Sequence, residues 1–156
     1  AQDPANQDRF AMIEIGARIV ADRPVTGVGP NMVPEVYDQY RPDYAVNAVN
    51  PHLHNVALQI AAERGLPALA AWVWFVVSLV GALFRMFRQA PASQGGTRPD
   101  QRRVLTAAAL ASTAAMLAAG LFEYNFGDSE FLMLFLVLIT LPFAASRQAD
   151  ASTDHT

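Results

Sequence analysis

Three apolar stretches set the pattern of this chain: Ala68 to Phe84, Val104 to Phe122 and Phe131 to Ala145 contain no charged residue. A membrane-crossing helix needs about 20 mostly apolar residues, with a lower limit near 17. The first two stretches meet that length. The third is shorter, but Glu130 and Ser146 at its flanks suit an interface, and Pro142 is tolerable inside a spanning helix. Three such runs so close together predict three transmembrane helices at about 68–84, 104–122 and 131–145, rather than buried helices of a soluble core. Residues 1–67 have a different pattern. Residues 8–22 show helical periodicity, with Glu14, Arg18 and Asp22 spaced to form an ion-paired stripe. Residues 51–64 read as a second short helix, with Asn50 as N-cap, Pro51 at the first helical position and Gly65 just past the end. Between them, Pro24 to Pro30 is a turn-rich break, and 31–49 reads as an irregular loop carrying Tyr37, Tyr40 and Tyr44, aromatics suited to a sugar face or a membrane interface. The fold class expected is an all-α membrane protein: a partly helical external region, three spans, and a disordered polar tail at 146–156.

Composition narrows the function classes. Of the 156 residues, 53% are hydrophobic and the net charge is -3, which argues against a nucleic-acid partner. The absence of cysteine excludes disulfides and thiolate metal sites. Arginine supplies all the positive charge, and its placement sets an orientation. The loop 85–103 carries Arg85, Arg88, Arg98, Arg102 and Arg103 against Asp100, whereas 123–130 carries Glu123, Asp128 and Glu130 and no base. The positive-inside rule puts 85–103 and the C-terminus in the cytoplasm, and 1–67 and 123–130 outside. The middle of 85–103 reads as a flexible linker. The chain opens Ala-Gln-Asp-Pro, with neither an initiator Met nor a signal-peptide pattern, and is expected to be the C-terminal piece of something longer.

Candidate chemistry concentrates at Asn50-Pro-His-Leu-His-Asn55. On a helix, His52 and His54 point about 200° apart, a poor metal pair. Near a helix N-terminus the dipole favours the uncharged imidazole that a general base needs, and it favours a phosphate nearby. The plainer reading is a histidine that only caps or packs. Asn55 orients a ring or a sugar hydroxyl, or is simply solvated. Arg9 projects with Ile13, Gly16 and Val20, roughly 140° from Glu14. It either meets an anion supplied from elsewhere or snorkels past its apolar neighbours into water. Gly27-Val28-Gly29 is not a nucleotide loop, since the third glycine of that fingerprint falls at Met32. Glu123 and Asp128 are second-tier candidates for binding sugar hydroxyls.

Several of these residues share a pattern with a known family. His54-Asn55 followed by Gly65 and a spanning helix, Pro24-Val-Thr-Gly-Val-Gly-Pro30, Arg9 on a helix upstream, and Gly120-Leu-Phe-Glu-Tyr-Asn-Phe-Gly-Asp-Ser-Glu130 together resemble the O-antigen ligase family over about residues 9–145. The chain departs from it at Ala68, where glycine is frequent, and at Ile13, where an aromatic is usual. The resemblance implies transfer of a glycan from a polyprenyl-pyrophosphate carrier to a hydroxyl of lipid A-core. It places that reaction on the periplasmic face of the bacterial inner membrane, with no metal and no cofactor. It also implies that the chain supplies the large periplasmic loop and last three helices of a larger bundle. On this reading His54 is the base or acceptor binder, Arg9 binds the pyrophosphate, Asn55 supports the site and Arg41 is a further phosphate contact. The partners are the lipid-linked donor, the glycan or lipid acceptor and the bilayer. A polysaccharide polymerase of the same superfamily is the alternative. A transport subunit is another, but the three apolar runs hold no charge to serve as a relay.

Overall fold

The computed structural model describes residues 4–90 and 100–153, and the all-α expectation holds for them. The elements are α1 (Pro4–Asp22), α2 (Val33–Tyr40), α3 (Val56–Gln89), α4 (Gln101–Ala119), a 3-10 turn (Asn125–Gly127) and α5 (Ser129–Thr153). They pack as two units, one of residues 1–74 with 119–127, the other of 75–118 with 128–156.

In the first unit, α1 turns Met12, Ile15 and Ile19 inward at three- and four-residue spacing. They meet Val33 and Tyr37 of α2, Leu53, and Ala62 of α3. Arg18 pairs with Glu14 at 2.6 Å, as the spacing predicts, whereas Asp22 accepts from the Tyr40 hydroxyl at 2.7 Å. The stretch 31–49 therefore departs from the irregular loop expected. It contains α2, whose Val33, Val36, Tyr37 and Tyr40 share an inward face; neighbouring Pro30 and Pro34 disguise that periodicity in the sequence, though proline suits a helix start. The tyrosines serve this packing. Tyr37 is fully buried, and burial pushes its phenol above the ordinary value. The Tyr44 hydroxyl bonds the Glu14 carboxylate and, with Arg18, holds that carboxyl below its usual range.

The helix expected from Pro51 begins instead at Val56. Asn50 does not cap it: Asn50 is buried, and its side-chain amide donates to the Tyr37 hydroxyl at 3.0 Å and to Asp8 at 3.2 Å. His54 has φ 48, a left-handed conformation no α-helix contains. Asn55 is the actual cap, its Oδ1 accepting from the Leu58 N–H at 2.9 Å.

At Gly65 (φ 81, ψ 171) the helix breaks, then resumes with Pro67 in its new first turn. The turn-rich segment 24–29 docks on that break. Val28 and Gly29 donate their N–H groups to the carbonyls of Ala62 and Glu63, and Leu66 donates to Pro24, all within 2.9 Å. These bonds satisfy carbonyls that a helix end would leave orphaned.

In the second unit, the Arg103 guanidinium of α4 lies 4.3 Å from the Phe87 ring of α3 and donates to the Ala90 carbonyl. The start of α4 therefore packs on the end of α3, and Arg85, Arg88, Arg102 and Arg103 gather at that end. The linker expected within 85–103 falls largely on 91–99, outside the described residues. The run expected at 104–122 is displaced: α4 ends at Ala119, and Gly120 opens a turn. Residue Asp128 caps α5 through bonds from the N–H groups of Glu130 and Phe131, and α5 continues to Thr153, so the tail expected to be disordered from 146 is helical over that length.

Among the described residues, two helices are long and apolar enough to cross a membrane, Val56–Gln89 and Ser129–Arg147. The span expected at 104–122, in α4, is not among them, because Arg102, Arg103 and two threonines dilute its apolar content. On α3 and α5, Trp74 is 73% and Met133 is 69% exposed, a distribution that suits lipid or further helices rather than water.

Candidate functional site

The head of α3 is built by polar side chains that are themselves buried. The Leu53 N–H donates to Gln59 Oε1 at 2.7 Å, and Gln59 Nε2 donates to Glu63 Oε1 at 2.8 Å. Glu63 is 1% exposed and also accepts from Arg64 at 3.2 Å. Arg64 reaches the Tyr124 hydroxyl as well. This chain of bonds fixes the backbone before the cap and holds His54 in its left-handed conformation. Such conformations in non-glycine residues persist only where the surroundings enforce them. Gln59→Leu is expected to leave the Leu53 N–H without a partner and Glu63 with Arg64 alone, and to cost about 2 kcal/mol or more. Thermal unfolding in detergent micelles measures that loss.

A second set of bonds brings the segment 120–123 to the same place. The Val56 N–H donates to the Gly120 carbonyl at 2.8 Å, and the Asn55 side-chain amide donates to the Leu121 carbonyl at 3.4 Å. Asn55 is thus both helix cap and tether. The result is that Glu123 Oε2 lies 3.2 Å from His54 Nδ1. An ionised carboxylate only accepts, so in a neutral His54 this contact requires the proton on Nδ1 and leaves the lone pair on Nε2. That is the arrangement in which a carboxylate orients an imidazole for proton acceptance.

His54 and Asn55 line an open cleft together with Arg9, Met12, Ile13, Leu53, Leu121 and Phe122. Arg9 is exposed, pairs with no carboxylate among the described residues, and has its guanidinium 5.9 Å from the Phe122 ring centre. Ile13 stands beside it, half exposed. The cleft measures about 140 Å³, below the roughly 300 Å³ of a pocket that encloses a whole ligand. It is sized for one phosphate or one ring, with the remainder of a larger molecule outside.

Three of the four residues singled out in the sequence thus converge: Arg9, His54 and Asn55. Arg41 does not line the cleft; it pairs with Asp38 at 3.3 Å. Sequence reasoning had Glu123 only as a sugar binder, and did not find Gln59 or Glu63. The signal for the latter two was present, since polar residues at four-residue spacing sit among Ile60, Ala61 and Ala62.

His52 and His54 do not lie on a helix, so the helical spacing that makes them a poor metal pair does not apply. The turn at His54 brings the two rings to 4.2 Å between centroids, edge to face. Burial, followed by the neighbouring His54, pushes His52 below its ordinary value.

Residues 1–73 match the family model described as O-antigen ligase. No curated protein and no solved structure matches the chain. The matched segment contains Arg9, His54 and Asn55, while Glu123 lies beyond it.

Proposed function

From the O-antigen ligase family match of residues 1–73, which carries ligase- or polymerase-type glycosyl transfer as its coarse activity, we propose that this chain supplies the acceptor-activating part of an O-antigen ligase. Two helices apolar enough to cross a bilayer, together with the match, support reading it as a membrane protein. The donor is a glycan on a polyprenyl pyrophosphate, and the acceptor is a hydroxyl of lipid A-core at the periplasmic face of the inner membrane. The observation that carries this reading is the convergence on one small cleft of an arginine that pairs with no carboxylate among the described residues, a carboxylate-oriented histidine and a capping asparagine.

In the proposed step, His54 Nε2 takes the proton of the acceptor hydroxyl as its oxygen attacks the anomeric carbon. The bond from that carbon to the pyrophosphate oxygen breaks, and the electron pair leaves with the pyrophosphate. Arg9 meets the charge that develops there, and its planar fork suits phosphate oxygens. Glu123 holds the imidazole in the accepting tautomer and stabilises it once protonated. Asn55 fixes the backbone on which His54 stands. Arg41 is left out, since Asp38 already neutralises it. No metal is needed for this step.

For topology, we place α3 beyond Gly65, α4 and α5 across the membrane. The arginine-rich end of α3 and α4 faces the cytoplasm, consistent with the positive-inside rule.

Arginine 9 gives the test. In the intact protein, supplied with polyprenyl-pyrophosphate-linked glycan and lipid A-core, Arg9→Ala is expected to lower transfer by about 10²-fold or more, the scale of one lost charge-stabilising donor. Arg9→Lys is expected to recover only a small part. Full activity in the lysine variant overturns bidentate phosphate recognition. A product built of repeat units, with no lipid A-core, moves the assignment to the polymerase alternative.

A further inference from the structure

We propose that His52, His54 and Glu123 form a zinc-class metal site whose occupation shuts off the proposed transfer. One ligand atom from each residue lies within 4.8 Å of the others, and His54 Nδ1 and Glu123 Oε2 are already 3.2 Å apart. Zinc bonds to nitrogen and carboxylate oxygen at about 2.0–2.1 Å, which puts tetrahedral ligands roughly 3.4 Å from one another. The widest separation, within 4.8 Å, must therefore close by up to about 1.4 Å. Glu123 is the mobile member, with its side chain 61% exposed, and a carboxylate on an exposed stem turns readily. The two imidazoles are held by the turn, because the left-handed backbone at His54 is what makes an i,i+2 pair converge.

A second, independent observation points the same way. Nδ1 of His52 is buried and has no hydrogen-bond partner among the described residues. A buried nitrogen without a partner carries a desolvation cost, and a metal ion on its lone pair would remove it. The donor set selects the metal. Two imidazoles with one carboxylate suit zinc and its transition-metal neighbours, whereas calcium and magnesium prefer all-oxygen shells. Three protein ligands leave a fourth position open to water or a substrate oxygen.

The inhibitory consequence rests on the ligase reading. In the metal-free site His54 carries its proton on Nδ1 and accepts at Nε2. A metal on Nδ1 displaces the Glu123 bond and moves the proton to Nε2, so that nitrogen changes from acceptor to donor. The base is removed without any change in fold.

The binding arm of the test does not depend on activity. The intact protein in detergent micelles is titrated with Co²⁺ and followed by the visible absorption of tetrahedral cobalt, then challenged with Zn²⁺. A single equivalent is expected to bind and to be displaced by zinc. His52→Ala, His52→Gln and Glu123→Gln are each expected to weaken binding by at least 10-fold. Absence of the tetrahedral spectrum, or equal binding by all three variants, overturns the site. In the transfer arm, Zn²⁺ is expected to inhibit the parent reversibly, with activity returning on chelation. The His52→Ala variant is expected to transfer at the parental rate and to resist zinc. Zinc bound at the site with transfer unaffected overturns the inhibitory role. A parent inactive in transfer but binding cobalt refutes the ligase reading and leaves the metal site standing.

Discussion

Replacing His54 with glycine is expected to abolish glycosyl transfer while leaving the protein at least as stable as the parent. The two halves of that result have separate causes. The imidazole is the proposed proton acceptor, and losing a positioned general base costs about 10²–10⁴-fold in rate. The backbone at this position has φ 48, where a side chain costs about 1–2 kcal/mol relative to glycine. Glycine relieves that strain, and the relief offsets the roughly 0.5–1 kcal/mol of extra chain entropy it loses on folding. His54→Ala removes the same ring but keeps the strain, so it should be as inactive and somewhat less stable. The measurement pairs a transfer assay on membranes of matched protein content with thermal unfolding of the purified variants. Substantial transfer by the glycine variant removes His54 from the mechanism. An unfolded glycine variant shows that the ring holds the fold, and that the left-handed turn is not maintained by Gln59 and Glu63.

The second large effect is structural. Gly65→Ala and Gly27→Ala are each expected to destabilise the first unit by about 2–5 kcal/mol, combining overpacking with left-handed strain. A Cβ on Gly65 would sit 2.1 Å from the Val25 carbonyl oxygen, and one on Gly27 would sit 2.3 Å from the Glu63 carbonyl carbon. Both neighbours are backbone and cannot rotate away. These clashes are reciprocal, because segment 24–29 and the break after Glu63 press against each other and exchange hydrogen bonds. Gly81→Ala is the control. Its Cβ would meet nothing closer than the end of Arg85 at 3.9 Å, so the helix should be unchanged or up to about 1 kcal/mol more stable. Loss of fold in the two crowded variants but not in Gly81→Ala is read from thermal unfolding and protease resistance. Parental stability in either crowded variant refutes the close docking.

The docking also shows why a motif can be legible and its meaning not. Pro24-Val-Thr-Gly-Val-Gly-Pro30 stands out by composition as a turn, and its glycines exclude a nucleotide loop by spacing. Its work is to close a helix end that lies more than thirty residues later, through bonds from Val28 and Gly29 to Ala62 and Glu63. Nothing local in the segment specifies that partner. Tyr37, Tyr40 and Tyr44 teach the same lesson. Exposed aromatics and buried ones carry the same letters, and only packing on α1 assigns them to the core and its rim.

What the sequence by itself determined is what repeats locally along the chain. Charge-free apolar runs are enough for an all-helical chain with helices long and apolar enough to cross a membrane, four-residue spacing is enough for the Glu14–Arg18 pair, and Gly65 marks a helix end. Spacing and composition also singled out Asn50 to Asn55, with Arg9 upstream, as the chemically capable positions. The tertiary structure decided where the helix head lies, moving it from Pro51 to Val56 because Asn50 is spent on Tyr37 and Asp8 and the chain turns left-handed at His54. It also chose His54's partner. Glu123 lies 69 positions away along the chain, and its arrival at His54 depends on backbone and side-chain bonds between the head of α3 and residues 120–121. Propensity and periodicity act over a few residues; closing a loop of that length is settled by which buried groups the whole chain can satisfy at once.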